Sequence, residues 1–216
     1  MSQTNTTVAH VGITNFHHQD AGFKQAHNYL FPVAQDALWA ERTRTGETRV
    51  FELGSGSGAV ANALAAQGFE VIGIDPSETG LDLAREAYPH LHLEHGTCYE
   101  NLASRFGTFP MLLSLEVIEH VYAPREYMKS VYDLLEPGGM ALISTPYHGY
   151  LKNVALSLSG KMDGHFAVLT DGGHIKFWSV RTLGILAREA GFTVERWRFA
   201  GRVPFLWKSM IVTLRK

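Results

Sequence analysis

Val50-Phe51-Glu52-Leu53-Gly54-Ser55-Gly56-Ser57-Gly58 is a strand-like apolar run that ends in a carboxylate and breaks into glycines. The Ala-rich stretch Ala59 to Gln67 follows, and Gly68 closes it as a helix. Without Cβ atoms at that junction the chain can turn sharply and bring its backbone close to a ligand. A second strand-like run, Phe69 to Ile74, ends at Asp75. That is about twenty residues past the first glycine, where a carboxylate is expected to hold ribose hydroxyls. The pair of features predicts a site for a ligand that contains a nucleoside.

Outward from this junction, strand and helix signals alternate. Leu91–Glu94, Met111–Leu115, Met140–Ser144, Phe192–Phe199 and about Trp207–Leu214 read as further strands, seven in all. Helices are predicted over residues 23–40, 59–67, 77–88, 124–135 and 179–190, with a weaker helical turn near 99–105. Ser77 is placed to cap one of them, and Pro124 to open another. This rhythm predicts an α/β fold, a doubly wound, mostly parallel seven-stranded sheet covered by helices on both faces. The connector between the last two strands has no room for a crossover helix, so the last strand is predicted to run antiparallel, at an edge. Residues 147–176 show no clean period and read as a long insertion over the carboxyl ends of the strands. The expected organisation is an N-terminal tail and helix over 1–45, then a ligand-binding domain over 46–216.

The 216 residues are 45% hydrophobic and 19% charged with a net charge of -2, an ordinary balance for one globular core. Scattered Lys and Arg argue against broad nucleic-acid binding. No apolar run reaches transmembrane length, and the first twenty residues lack the plan of a signal peptide, so a cytoplasmic protein is expected, touching a membrane at most peripherally. Cys98 is the single cysteine, which excludes an intramolecular disulfide. His10, His17, His18 and His27 show no ligand spacing and read as a polar lead-in. Nothing in the sequence speaks to oligomeric state.

Electrostatics narrows the ligand. Glu52 ahead of the glycines would repel a pyrophosphate, whereas the sulfonium and ammonium of S-adenosylmethionine suit it. Glu52, the glycine loop, Asp75 and Leu115-Glu116 all fall at strand carboxyl ends, where such sheets collect ligands. Five motifs then occur in order: Glu-Leu-Gly-Ser-Gly-Ser-Gly, Gly-Ile-Asp-Pro-Ser, Leu-Glu-Val-Ile-Glu-His-Val, Leu-Glu-Pro-Gly-Gly and Ile-Ser-Thr-Pro. Together they resemble the class I S-adenosylmethionine-dependent methyltransferases. The resemblance implies that Gly54, Ser55, Gly56 and Gly58 meet the methionine moiety beside Glu52 and Leu115. It also implies that Asp75, followed by Pro76, takes the ribose hydroxyls and that Thr97 and Cys98 flank the adenine. Thr97 departs from the family's usual acidic residue. Cys98 has no adjoining base and is not read as a nucleophile. A dehydrogenase binding NAD and a non-catalytic module binding the same donor are the competing readings of this pocket.

Glu116, Glu119 and His120 would share one face of a helix, and two carboxylates with an imidazole can bind a divalent cation. The competing reading packs His120 structurally and leaves one glutamate near the cofactor. The later run Gly173-His174-Ile175-Lys176-Phe177-Trp178-Ser179 is similar to a segment that gives a further histidine to Mg²⁺ in small-RNA 3′-terminal 2′-O-methyltransferases. Those enzymes share the Glu-x-x-Glu-His cluster, as do the ubiquinone-biosynthesis O-methyltransferases. The resemblance therefore implies Glu116, Glu119, His120 and His174 as Mg²⁺ ligands, with Glu119, His120 and His174 catalytic. Without a cation, His120, His148 or His174 would serve as general base. The expected acceptor is a small hydroxylated molecule, with Tyr147, His148, Tyr150, Leu151, Leu156, Leu158, Phe166, Phe177 and Trp178 either lining a lid over an aromatic or lipid-like body or packing the insertion onto the domain. RNA is the alternative acceptor. Phe205, Leu206 and Trp207 are read as core.

Overall fold

The computed structural model describes residues 19–166, 169 and 172–216. His10, His17 and His18 of the polar lead-in lie outside the described residues. Seven strands form one sheet: β1 (Arg49–Leu53), β2 (Glu70–Asp75), β3 (His92–His95), β4 (Phe109–Ser114), β5 (Leu135–Pro146), β6 (Thr193–Ala200) and β7 (Ser209–Arg215). Their order is β3-β2-β1-β4-β5-β7-β6. All neighbours from β3 to β5 pair in parallel, and β7 is antiparallel to both β5 and β6. This is the expected doubly wound, Rossmann-like architecture. One expectation is corrected. The antiparallel strand is not at the edge: β7 is inserted between β5 and β6, and β6 takes the edge. Burial explains the choice. Ser209 to Leu214 are buried throughout, as a strand covered on both faces must be. Glu195 and Arg196 of β6 are exposed, which an edge tolerates.

The helices are α1 (His27–Thr45), α2 (Ala59–Ala65), α3 (Glu78–Ala87), α4 (Leu102–Phe106), α5 (Pro124–Leu134), α6 (Tyr150–Leu158), α7 (Met162–Phe166) and α8 (Val180–Glu189). The sheet separates two cores. On one face Leu30, Leu38, Val60, Leu64 and Leu81 of α1, α2 and α3 pack on Val50, Met111, Leu113 and Leu142. On the other, Tyr127, Val131, Leu134, Leu183 and Leu186 of α5 and α8 pack on Phe51, Leu112, Ile143 and Val212. Local chemistry sets the ends. Ser77 Oγ accepts from Gly80 N at 3.2 Å, Pro124 opens α5, and Ser179 with Thr182 forms a capping box on α8. The insertion is also corrected: it is not a bare loop but carries α6 and α7. Gly160 and Gly164, with exposed Tyr150, Leu151 and Leu158, hide the helical period there. Phe205, expected in the core, is 58% exposed.

Glu41 ties α1 to the far end of the sheet, where Arg215 donates to both its oxygens at 2.5 and 3.2 Å. Burial alone would raise the Glu41 pKa, but the guanidiniums of Arg44 and Arg215 hold it down to about 2, below its ordinary 4.5. A carboxylate depressed on folding stabilises above its unfolded value, and that stability is lost as pH falls through the folded one. Glu41→Gln is therefore expected to lower the melting temperature at neutral pH. The gap from wild type should narrow as pH falls from about 4.5 toward 2, read from melting curves across pH.

Candidate active site

The order reverses between β1 and β4, and the crevice at their carboxyl ends gathers the glycine loop. Gly54 and Ser55 both donate backbone N–H to Ile74 O at 2.9 Å, binding the loop to the end of β2. Gly54 has φ 88°, and a Cβ there would lie 2.3 Å from Val117 Cγ2. Gly58 has φ 78°, and its Cβ would meet Leu93 Cδ1 at 2.9 Å. Glycine at both places is a steric requirement.

Asp75 organises the same corner. Its Oδ2 accepts from Gly56 N and its Oδ1 from Ser77 N, each at 2.8 Å. Pro76 follows, half-buried. Glu52 sits on β1 opposite Gly73 and Leu113. It is 3% exposed, and its Oε2 is buried without a hydrogen-bond partner. Burial, then the charge of Asp75, pushes its pKa well above the usual range. Such a group suits a cationic ligand, whose charge would draw it back to the ionised form. Leu115 is buried at the end of β4. Cys98 is packed in the core with Leu102 and Tyr127, and burial pushes its thiol up to about 12. That thiol is not a nucleophile at neutral pH. Thr97 N donates to Glu100 Oε1 at 2.8 Å.

The expectation of a helix across Glu116 to His120 is overturned. Glu116 has φ 55°, and residues 118–120 form a turn. The left-handed residue separates Glu116 from the other two. Its carboxylate accepts from Ser144 Oγ at 2.8 Å and Ser209 Oγ at 3.1 Å, and its N–H donates to Ser144 Oγ at 2.9 Å. With the Ser209 proton so used, Tyr29 O–H donates to Ser209 Oγ at 3.2 Å. Tyr29 thus brings α1 onto the edge of this network. Ser144 was read only as part of the Ile-Ser-Thr-Pro motif and Ser209 was not singled out; their positions, near the end of β5 and at the head of β7, were the available signal.

Glu119, His120 and His174 do converge, each offering a ligand atom within 4.8 Å of the others. The Nε2 atoms of His120 and His174 each lie 4.0 Å from Glu119 Oε1. Glu119 is fully buried, and neither of its oxygens has a partner at hydrogen-bond distance, the nearby Thr145 hydroxyl being the side chain that favours its charge. Burial and then the Glu116 charge push its pKa well up. His120 Nδ1 lies 2.8 Å from Gly172 O. A carbonyl only accepts, so Nδ1 carries the proton and Nε2 presents its lone pair to Glu119. Burial, then the neighbouring His120, lowers the His174 pKa to about 4, leaving that ring neutral as well.

Backbone bonds bring His174 to this place. Ile175 N and Lys176 N donate to Glu119 O at 2.9 and 3.0 Å, and Trp178 Nε1 donates to Ile118 O at 3.2 Å. Trp178 enters the core. A buried carboxylate and two half-buried neutral imidazoles, facing one another, form a donor set for a divalent cation.

Comparison with known proteins agrees with this geometry. A family described as a methyltransferase domain matches residues 16–196. The ubiquinone biosynthesis O-methyltransferase of Ruegeria pomeroyi is 37% identical over 180 residues, covering 81% of this chain and 71% of that one. The methyltransferase domain of bacterial CtHen1 superposes with a TM-score of 0.63 at 19% identity, covering 87% of this chain and 100% of that one. Magnesium protoporphyrin IX methyltransferase from Synechocystis, solved with S-adenosylhomocysteine, superposes with a TM-score of 0.60 at 18% identity, covering 86% and 83%. Crevice, sheet order and similarity agree, and the chain belongs to the methyltransferase-domain family as an S-adenosylmethionine-dependent methyltransferase.

Proposed function

We propose that the protein O-methylates a small hydroxylated acceptor, aromatic or lipid-like, with help from a divalent cation at Glu119, His120 and His174. Residues 46–216 serve as the catalytic domain, residues 1–45 as a tail and covering helix, and 147–176 as the acceptor side. The carrying observation is the buried Glu119 carboxylate, with no partner at hydrogen-bond distance from either oxygen, between two imidazole nitrogens at 4.0 Å. Left without a positive partner, that arrangement would cost several kcal/mol or stay protonated. Oxygen as the methylated atom is supported by the name of the Ruegeria pomeroyi relative.

The donor supplies an electrophilic methyl group on a sulfonium. The chain's part is to hold the donor and to present a deprotonated oxygen in line with that methyl. Glu52 and the Gly54–Gly58 loop receive the cationic end, and Asp75 with Pro76 the ribose. The buried Cys98 side chain leaves its backbone to meet the adenine. Glu119, His120 and His174 would hold the cation, which lowers the pKa of a hydroxyl bound to it. Glu116, committed to two serines, is assigned to ordering the crevice wall instead of to the cation. One carboxylate and two imidazoles suit a transition cation such as Mn²⁺ better than Mg²⁺.

The test is turnover after exhaustive chelation. Activity is expected to vanish and to return with Mn²⁺ at lower concentration than with Mg²⁺. Undiminished activity in chelator would overturn the cation, and an acceptor panel of catechols, hydroxylated lipids and short RNA decides the class. The net charge of -2 disfavours the RNA reading. Among the described residues no helix is long and apolar enough to cross a membrane.

A further inference from the structure

Beside the methyl-transfer site, the insertion holds a second group of polar side chains that the reaction as described does not use. His148 lies just past β5 and is 9% exposed. Its ring centroid is 5.2 Å from that of His165 on α7 and 5.1 Å from Phe177. The Nε2 atoms of His148 and His165 are both buried without a partner at hydrogen-bond distance, Asn153 being the nearby side chain that favours protonation of His148.

Lys152, in the first turn of α6, is 7% exposed. Its ammonium donates to Tyr147 O at 2.8 Å and Lys208 O at 3.4 Å, which leaves one of its three N–H bonds. Lysine is rarely so buried without a paired acid. Among the described ion pairs Lys152 has none. Glu116 is the one acid that favours its charge, and the Glu116 oxygens are already occupied by serines. No side chain caps α6, so the free amides of its first turn add positive potential at the same place. Arg202, on the β6–β7 connector, is near enough for its charge to disfavour protonation of both Lys152 and His165.

A lysine, an arginine and an uncapped helix end repel a second cation and fit an anion, to which the two neutral imidazoles can each donate one N–H. We propose that His148, Lys152, His165 and Arg202 receive an oxyanion, a carboxylate or a phosphate, carried by the methyl acceptor. The acceptor is then an acid or phosphate ester that also bears a hydroxyl, and this part rests on the O-methylation reading above. His148 N donates to Trp178 O at 3.3 Å, and Trp178 Nε1 donates to Ile118 O beside Glu119, which sets the anion a short reach from the Glu119 cluster. Phe166 and Phe177, with ring centroids 4.8 Å apart, flank the path.

Binding can be followed without any methyl transfer. Benzoate and inorganic phosphate are titrated separately into the full chain with S-adenosylhomocysteine present, while the imidazole Cε1–H resonances are recorded by NMR. His148→Gln and His165→Gln assign the two signals. Saturable movement of both signals is expected with at least one anion, and Lys152→Met should weaken it about ten-fold or more. Arg202→Gln, an exposed change that spares folding, should weaken it by a factor of a few. Response to benzoate alone points to an acid, and response to phosphate alone to a phosphate ester. No saturable movement with either anion, or unchanged affinity in both the Lys152 and Arg202 variants, overturns the pocket. Anion binding in an enzyme that fails on every hydroxyl acceptor would sink the O-methylation reading and leave the pocket standing.

Discussion

Glu119→Gln is expected to lower kcat/KM by about 10²–10⁴-fold, the range in which a cation-activating or proton-handling group operates. The substitution keeps the shape of the side chain and removes only its charge. In the folded protein that charge has no partner at hydrogen-bond distance from either oxygen and is fully buried. A buried carboxylate kept for stability would be paired, because its desolvation is otherwise uncompensated. Glu119→Gln should therefore melt at or above the wild-type temperature in chelator while losing activity. Wild type should gain melting temperature with added Mn²⁺, as any ligand of the folded state confers, and Glu119→Gln should not. A structural role predicts the reverse, with lost stability and retained metal-independent turnover. Wild-type kcat/KM in Glu119→Gln would remove this residue from the chemistry.

The crevice at the strand ends was legible in the sequence because its logic is local. A glycine loop at a strand end, an acid before it and another at the end of the next strand all lie within about 25 residues of chain, and backbone sterics make the pattern readable. The sheet was legible for the same reason. Its antiparallel member was recognised from the short connector, but its place was not. The signal was there: Met210-Ile211-Val212 is unbroken apolar sequence, while Val194-Glu195-Arg196 alternates with charge, and only the first suits burial on both faces.

The Glu116–His120 segment was misread because spacing of three and four says helix only if every intervening residue is right-handed. Glu116 at φ 55° breaks that condition, and glutamate carries no sequence mark for the left-handed region. The result is a cluster of three donors where four were expected. His174 reaches that cluster through backbone bonds from Ile175 and Lys176 to Glu119 O, which no side-chain identity announces. Lys152 was overlooked as one basic residue among the apolar positions of α6. Its meaning comes from burial, which sequence does not display.

Gly54→Ala is expected to weaken S-adenosylmethionine binding by about 10–100-fold, because a methyl group there meets both backbone strain and a collision. At φ 88° a residue with a Cβ costs about 1–3 kcal/mol. The added carbon would lie 2.3 Å from Val117 Cγ2, far inside contact distance. Relief requires Val117 to move or the loop to retreat from β2, where Gly54 N and Ser55 N share Ile74 O. Overpacking of this kind adds about 1–3 kcal/mol. The two contributions separate in a double-mutant cycle. Val117→Ala removes the colliding Cγ2 and should recover the steric part in the double variant while leaving the backbone strain. Calorimetry with S-adenosylmethionine on the four proteins reads the coupling directly. If Gly54→Ala binds the donor as wild type does, the loop does not approach the methionine end, and the crevice must hold its cofactor in another pose.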